Sequence, residues 1–167
     1  MAGVSVRIDA AQMRSRLKAF TGRVQNIEPA ARSFGERMLR ITDERFSGEH
    51  DPEGRPWVPL SPLTLAGSYK KQTFTRKGRI TKGYSKFLGG RKILTASHRL
   101  RRSITYTAGH RSLALGTNVV YGRIHQLGGM AGRGRKVRIP ARPFLGFNQQ
   151  DVQAFIDEIK NHLEAGR

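Results

Sequence analysis

The chain has 167 residues, 37% of them hydrophobic, which predicts a single domain spanning 1–167 with a modest core. It carries 31 Lys or Arg against 12 Asp or Glu, a formal net charge of +19, and no cysteine. The absence of thiols excludes a disulfide framework, thiolate zinc sites, iron–sulfur clusters and a cysteine nucleophile.

Val4 to Ile8 alternates apolar and polar residues and reads as a short strand. Met1–Ile8 has no apolar run behind a basic start, so a signal peptide is not expected. Asp9 is placed to cap a helix over Ala10–Val24, with Met13, Leu17 and Phe20 at helical spacing. Glu28 and Pro29 open a second helix, since proline is pre-organised for the first helical position. Its apolar face is Ala30, Phe34, Met38 and Ile41, extended by the stem of Arg45 and by Phe46, and Gly48 ends it.

From Ser47 the pattern breaks down. Pro52, Pro56, Pro59 and Pro62 forbid a continuous helix or a central strand. Lys70–Lys92 is basic and punctuated by glycine, so residues 47–92 read as an extended loop or arm that orders against a partner. Regular structure resumes with a helical turn at Thr95–Arg102. A hairpin follows, with one strand through Ile104 and Tyr106, a turn at Gly109 and His110, and a return over Leu113–Leu115. Val119–Leu127 reads as a short helix closed by Gly128 and Gly129. Gly132–Lys136 is a second basic loop, and Val137–Ile139 and Phe144–Phe147 read as short strands. Asn148 caps a last helix with the stripe Val152, Phe155, Ile156, Ile159 and Leu163. The sum is an α+β fold: a small, mostly antiparallel sheet with amphipathic helices on one face.

Charge is segregated along the chain. All acids lie at or before Glu53 or at or after Asp151, and the 97 residues from Gly54 to Gln150 hold 20 Lys or Arg. Such a segment repels itself and is stable beside something negative, either nucleic acid or the acidic face of a protein. No run of 18 apolar residues occurs, which predicts no membrane-spanning helix and no membrane partner.

No catalytic constellation emerges. Asp51 and Glu53 sit in the proline-rich loop, and His50, His98, His110, His125 and His162 fall one per element, without metal-ligand spacing. No phosphate loop or nucleophile elbow is present, so neither enzyme activity, metal nor cofactor is expected. Arg99, Arg101 and Arg102 cluster beside Tyr106, and Lys70, Lys71, Arg76, Lys77 and Arg79 form a run suited to phosphate contacts. No DNA- or RNA-reading motif accompanies them, so such binding would follow charge without sequence preference. Trp57 among three prolines reads either as a core plug or as a subunit contact. Arg142, held extended before Pro143, is placed to pair with an acid of its own or a neighbouring subunit.

Four short stretches in order resemble the virion-morphogenesis or tail-completion proteins of Mu-like and related myophages. They are Asp51–Leu60 after Phe46, Ile93–Thr95 leading to Leu100–Ile104, Leu115–Gly129, and Ile139–Gly146 ahead of the last helix. The family usually has glycine where this chain has His98. The resemblance implies a structural virion protein that completes or terminates the tail and joins it to the head connector, as a neck ring of six copies. Its implied partners are further copies of itself, tail tube or sheath proteins and head–tail connector proteins, with transient genomic DNA contact in the lumen. It would assemble in the host cytoplasm. The expected contact surface includes Trp57, Arg76, Lys77, Arg79 and Arg101. Arg102, Tyr121, His125, Arg142 and Phe144 complete it. The remaining alternatives are a non-sequence-specific nucleic-acid-binding protein and a head-assembly factor of the same phage family.

Overall fold

The computed structural model describes residues 10–61, 65 and 73–165, so the strand expected at Val4–Ile8 lies outside the described residues. Helix α1 runs over Ala10–Gln25 and α2 over Glu28–Gly48. Between them Asn26 turns the chain, and its Oδ1 accepts the Glu28 amide at 3.1 Å, satisfying one of the free donors at the start of α2. The expected apolar face of α2 is buried at Ala30, Phe34, Met38 and Phe46, with Ala31, Thr42 and Arg45 also inside.

The stretch read as an arm contains a helix, α3 (Lys82–Gly90). Thr81 caps it by accepting the Tyr84 amide at 3.3 Å, and Tyr84 is buried. Ahead of it Phe74 and Ile80 bridge across a tight turn at Gly78, where φ is +72°. Helix α4 is a single turn, Arg99–Arg102, and leads into strands β1 (Ile104–Gly109) and β2 (Ser112–Thr117), which form the expected hairpin. Helix α5 (Gly122–Leu127) is shorter than the sequence reading. Strands β3 (Gly129–Ala131) and β4 (Val137–Ile139) pair antiparallel, Met130 opposite Arg138, across a 3₁₀ turn at Arg133–Arg135. The last helix, α6, spans Gln149–Glu164.

The α+β reading holds, with two small antiparallel two-stranded sheets in place of one. Phe144–Phe147 is not a strand. Pro143 lacks an amide proton and Gly146 takes φ +153°, so this stretch cannot join a ladder.

The chain divides into two compact units. One holds α1, α2 as far as Arg37, Tyr106–Ala114 and α6. There Phe34 stacks on Phe155 with ring centroids 4.7 Å apart, and the Ile27 amide donates to the His110 carbonyl at 3.0 Å. Gly35 is required because a Cβ would stand 2.4 Å from the Tyr106 ring. The other unit holds Met38–Thr105, which takes in the rest of α2, α3, α4 and the start of β1, and Leu115–Asn148. Its core is Phe46, Trp57, Ile93, Leu100, Ile104, Val119 and Phe144.

His98 stands just before α4 with φ +54°, in the left-handed region that costs an L-residue about 1–2 kcal/mol and glycine almost nothing. Its side chain is exposed. Glycine would take this turn without strain, and histidine keeps it at a cost. His98→Gly relieves the strain and gives back part of it through a freer unfolded chain. A net gain of up to about 1 kcal/mol in chemical denaturation is expected; a loss of stability would show that the imidazole contributes more than the strain.

Candidate subunit-contact site

Prolines create the problem this region solves. Each removes an amide donor and leaves its carbonyl, so a proline-rich segment carries more acceptors than its own backbone can satisfy. The turn that opens the segment is pinned by Asp51. Its Oδ1 accepts the amides of Glu53 and Arg55, both at 2.9 Å, and its Oδ2 accepts Arg55 Nε at 2.8 Å. Burial pushes the Asp51 carboxyl up, the hydrogen bonds from Arg55 and Glu53 outweigh it, and the net pKa is lowered.

Beyond the turn, side chains serve as the missing donors. Trp57 is buried edge-on to Phe46, ring centroids 5.6 Å apart, and its Nε1–H donates to the Pro143 carbonyl at 2.8 Å. Arg142 returns the interaction in the opposite direction, giving Nε to Val58 O at 2.7 Å and Nη2 to Pro59 O at 3.0 Å. Asn148 Nδ2 reaches Pro52 O at 3.0 Å. Gln126 brackets the second segment: its Oε1 accepts the Phe144 and Leu145 amides, both at 3.0 Å, and its Nε2 donates to Leu145 O at 2.7 Å. Arg45, wholly inside α2's face, donates to Gly146 O at 2.9 Å. The two irregular segments, Pro52–Pro59 and Arg142–Gly146, are thus clamped to each other and to α2 and α5.

Beside the clamp lies a partly open cleft of about 340 Å³, with Leu60, Leu94 and Leu100 on its apolar side. Arg91, Lys92, Arg142 and His125 supply its polar side. Tyr121 meets the His125 ring edge-on, centroids 6.0 Å apart. His125 Nδ1 is buried and has no hydrogen-bond partner among the described residues. Burial, and then the Arg142 charge, lower the His125 pKa below its ordinary 6.5, so the ring is neutral at pH 7. Burial also lowers the Arg142 pKa, but a guanidinium remains charged.

The ten residues marked in the sequence separate by environment. Trp57, Arg142 and Phe144 are buried and hold the core and clamp. The acid anticipated for Arg142 is replaced, within this chain, by two backbone carbonyls. Arg101 is half-buried in a two-pronged ion pair with Asp43 and also donates to Ser47 Oγ at 2.9 Å. Arg76, Lys77 and Arg79 occupy the exposed Phe74–Ile80 turn. Arg102 and Tyr121 are exposed, and His125 is half-buried. Sequence reasoning missed Gln126, Asn148 and the polar end of Arg45, because a side chain that bonds to backbone leaves no spacing pattern.

Residues 8–164 match the phage virion morphogenesis family. The chain belongs to that family. It is 28% identical to the putative capsid assembly protein G of Escherichia phage Mu over 164 residues, 97% of this chain and 95% of that protein. It is 26% identical to tail completion protein S of Escherichia phage P2, covering 86% of this chain and 92% of that protein. Over 71 residues it is 44% identical to Mu-like prophage FluMu G protein 2 of Haemophilus influenzae, 42% of this chain and 51% of that protein. No solved structure matches. Family membership supports a structural or assembly role in building the phage particle.

One substitution tests the clamp and another the cleft beside it. Arg142→Met removes the donor to two carbonyls while relieving a buried charge, and a net loss of about 1–3 kcal/mol in urea denaturation is expected. An unchanged midpoint would mean that water replaces the guanidinium at no cost. For His125 the sign follows from its lowered pKa: the unfolded chain binds the proton more readily than the folded one. Stability is therefore full above the unfolded value of 6.5 and falls as pH drops below it. His125→Gln should flatten that part of the stability–pH curve, and an identical curve would place the acid sensitivity elsewhere.

Proposed function

We propose that this family member is a non-enzymatic structural protein of the phage neck, which completes or terminates the tail and joins it to the head connector as a ring of six copies. The observation that carries the reading is the segregation of charge: 20 basic residues and no acid between Gly54 and Gln150, with all 12 acids in the flanks. A surface of one sign is suited to a neighbour of the other sign, such as the acidic face of another protein of the particle or DNA. The clamp supports the same role, since it gives the proline-rich segment a fixed shape on which a joint can be built. Arg76, Lys77, Arg79 and Arg102 extend from the described surface as contacts to tail, connector or neighbouring subunit, and part of the basic segment faces DNA in the lumen.

A head-assembly role is the second reading, favoured by the name of the phage Mu relative, a putative capsid assembly protein. Light scattering of the purified full chain at low and high salt, with and without DNA, tests the ring. A discrete oligomer that persists without DNA is the expected result. A monomer that becomes large only when DNA is added overturns it in favour of a charge-driven nucleic-acid binder. Addition of the chain to tails that lack it separates neck from head, because only a neck protein restores joining to filled heads.

A further inference from the structure

Helix α1 leaves its apolar face in water. Met13, Leu17, Phe20 and Val24 recur at steps of four, three and four residues, the spacing of a coiled-coil seam. All four are 48–58% exposed. Scattered apolar residues on a surface need no explanation, but a continuous stripe of four large ones along one helix marks a docking face.

Charge selects the occupant. The charged residues of α1 are Arg14, Arg16, Lys18 and Arg23, with no acid among them. Two α1 helices laid face to face would bring like charges together, which disfavours that pairing. Helix α6 has the opposite character: Asp157, Glu158 and Glu164 against the single Lys160, with a fourth acid, Asp151, buried. It repeats the same spacing in Val152, Ile156, Ile159 and Leu163. Val152 and Ile156 are 49% and 42% exposed, and the Asp157 side chain beside them is also exposed. Within one chain the two helices are already tied at their C-terminal ends, by Arg23 Nη1 to Leu163 O at 2.7 Å and by His162 to the Asn26 carbonyl at 2.9 Å. That arrangement leaves the α1 stripe and the Val152–Ile156 part of the α6 stripe exposed.

We propose that the basic α1 stripe docks on the acidic Val152–Ile156 face of α6 in a second copy of this chain. The contact deepens the self-assembly reading and rests on it. Each copy offers one stripe of each kind, so the contact is heterologous and propagates from copy to copy until the rotation closes.

The chain has no cysteine, so cysteines placed in it report only on themselves. Leu17→Cys and Ile156→Cys full chains are prepared separately, checked for parental circular dichroism, mixed in equal amounts and oxidised. Phe20→Cys with Ile156→Cys covers the opposite helix direction. A disulfide needs Cα atoms within about 7 Å, so it forms only where the helices pack. The expected result is a covalent species of twice the chain mass in one of the two mixtures and not from any variant alone. The doubly substituted chain should then give a ladder of higher multiples. Cross-linking of Leu17→Cys with itself as readily as with Ile156→Cys overturns the proposal in favour of α1 pairing. Closure of the doubly substituted chain on itself overturns it in favour of a rearrangement within one chain. Light scattering separates this contact from the ring: an oligomer with no cross-link in either mixture removes the α1–α6 contact and leaves self-assembly. A cross-linked pair that never exceeds two copies keeps the contact and removes the ring.

Discussion

The structure of the larger unit depends on one constraint: proline-rich backbone has carbonyls to spare and too few amides. Pro52, Val58, Pro59 and Pro143 each present an acceptor that no strand or helix is there to meet. Leaving a buried carbonyl without a donor costs about 1–3 kcal/mol, so even a few of them are a large fraction of the stability of an ordinary domain. The fold answers with side chains: Asn148, Arg142 and Trp57 each supply a donor, and Gln126 both gives and accepts. The core follows from this. Trp57 enters the cluster with Phe46 and Phe144 in the pose that lets its N–H reach Pro143, so one residue closes the polar and the apolar accounts together.

The clamp also bears on the charge. Arginine has five donors in a rigid plane and no acceptor, which suits it to a carbonyl-rich interior. Arg142 and Arg45 are spent in this way, each against backbone oxygens. Most of the other positive charge of the segment lies at exposed positions, among them Arg76, Lys77, Arg79, Arg99, Arg102 and Arg138. Neutral backbone dipoles satisfy the buried arginines; the exposed ones keep their full field.

Legibility in the sequence tracked how local the cause was. Helix α2 and the hairpin were readable because periodicity, Pro29 and the turn around His110 act over a few residues. The prolines around Trp57 correctly excluded regular structure there, but nothing in their spacing names Arg142 or Asn148, 83 to 96 residues further on, as their donors. Helix α3 was missed although its cap, Thr81, was in view, because glycines at both ends weaken the helical pattern. Strand β3 was missed for the same reason: Gly129–Ala131 has no strand preference and is held by pairing with β4. The Phe144–Phe147 strand failed because apolar residues beside prolines look extended whether or not a ladder receives them.

Each unit buries a core of its own and leaves other apolar side chains in water. In the larger one the large apolar side chains of the core are covered and the strap carbonyls have donors. In the smaller one Phe34 and Phe155 bury each other, while the α1 stripe and part of the α6 stripe remain half in water. A helix of 16 residues has little stability of its own in water and draws most of it from packing an apolar face. The order of α1 is therefore linked by mass action to whatever covers that face, and association stabilises the helix as much as the helix stabilises association. The clamp holds the proline-rich segment with this chain's own side chains, whereas the α1 stripe is met by none of comparable burial among the described residues.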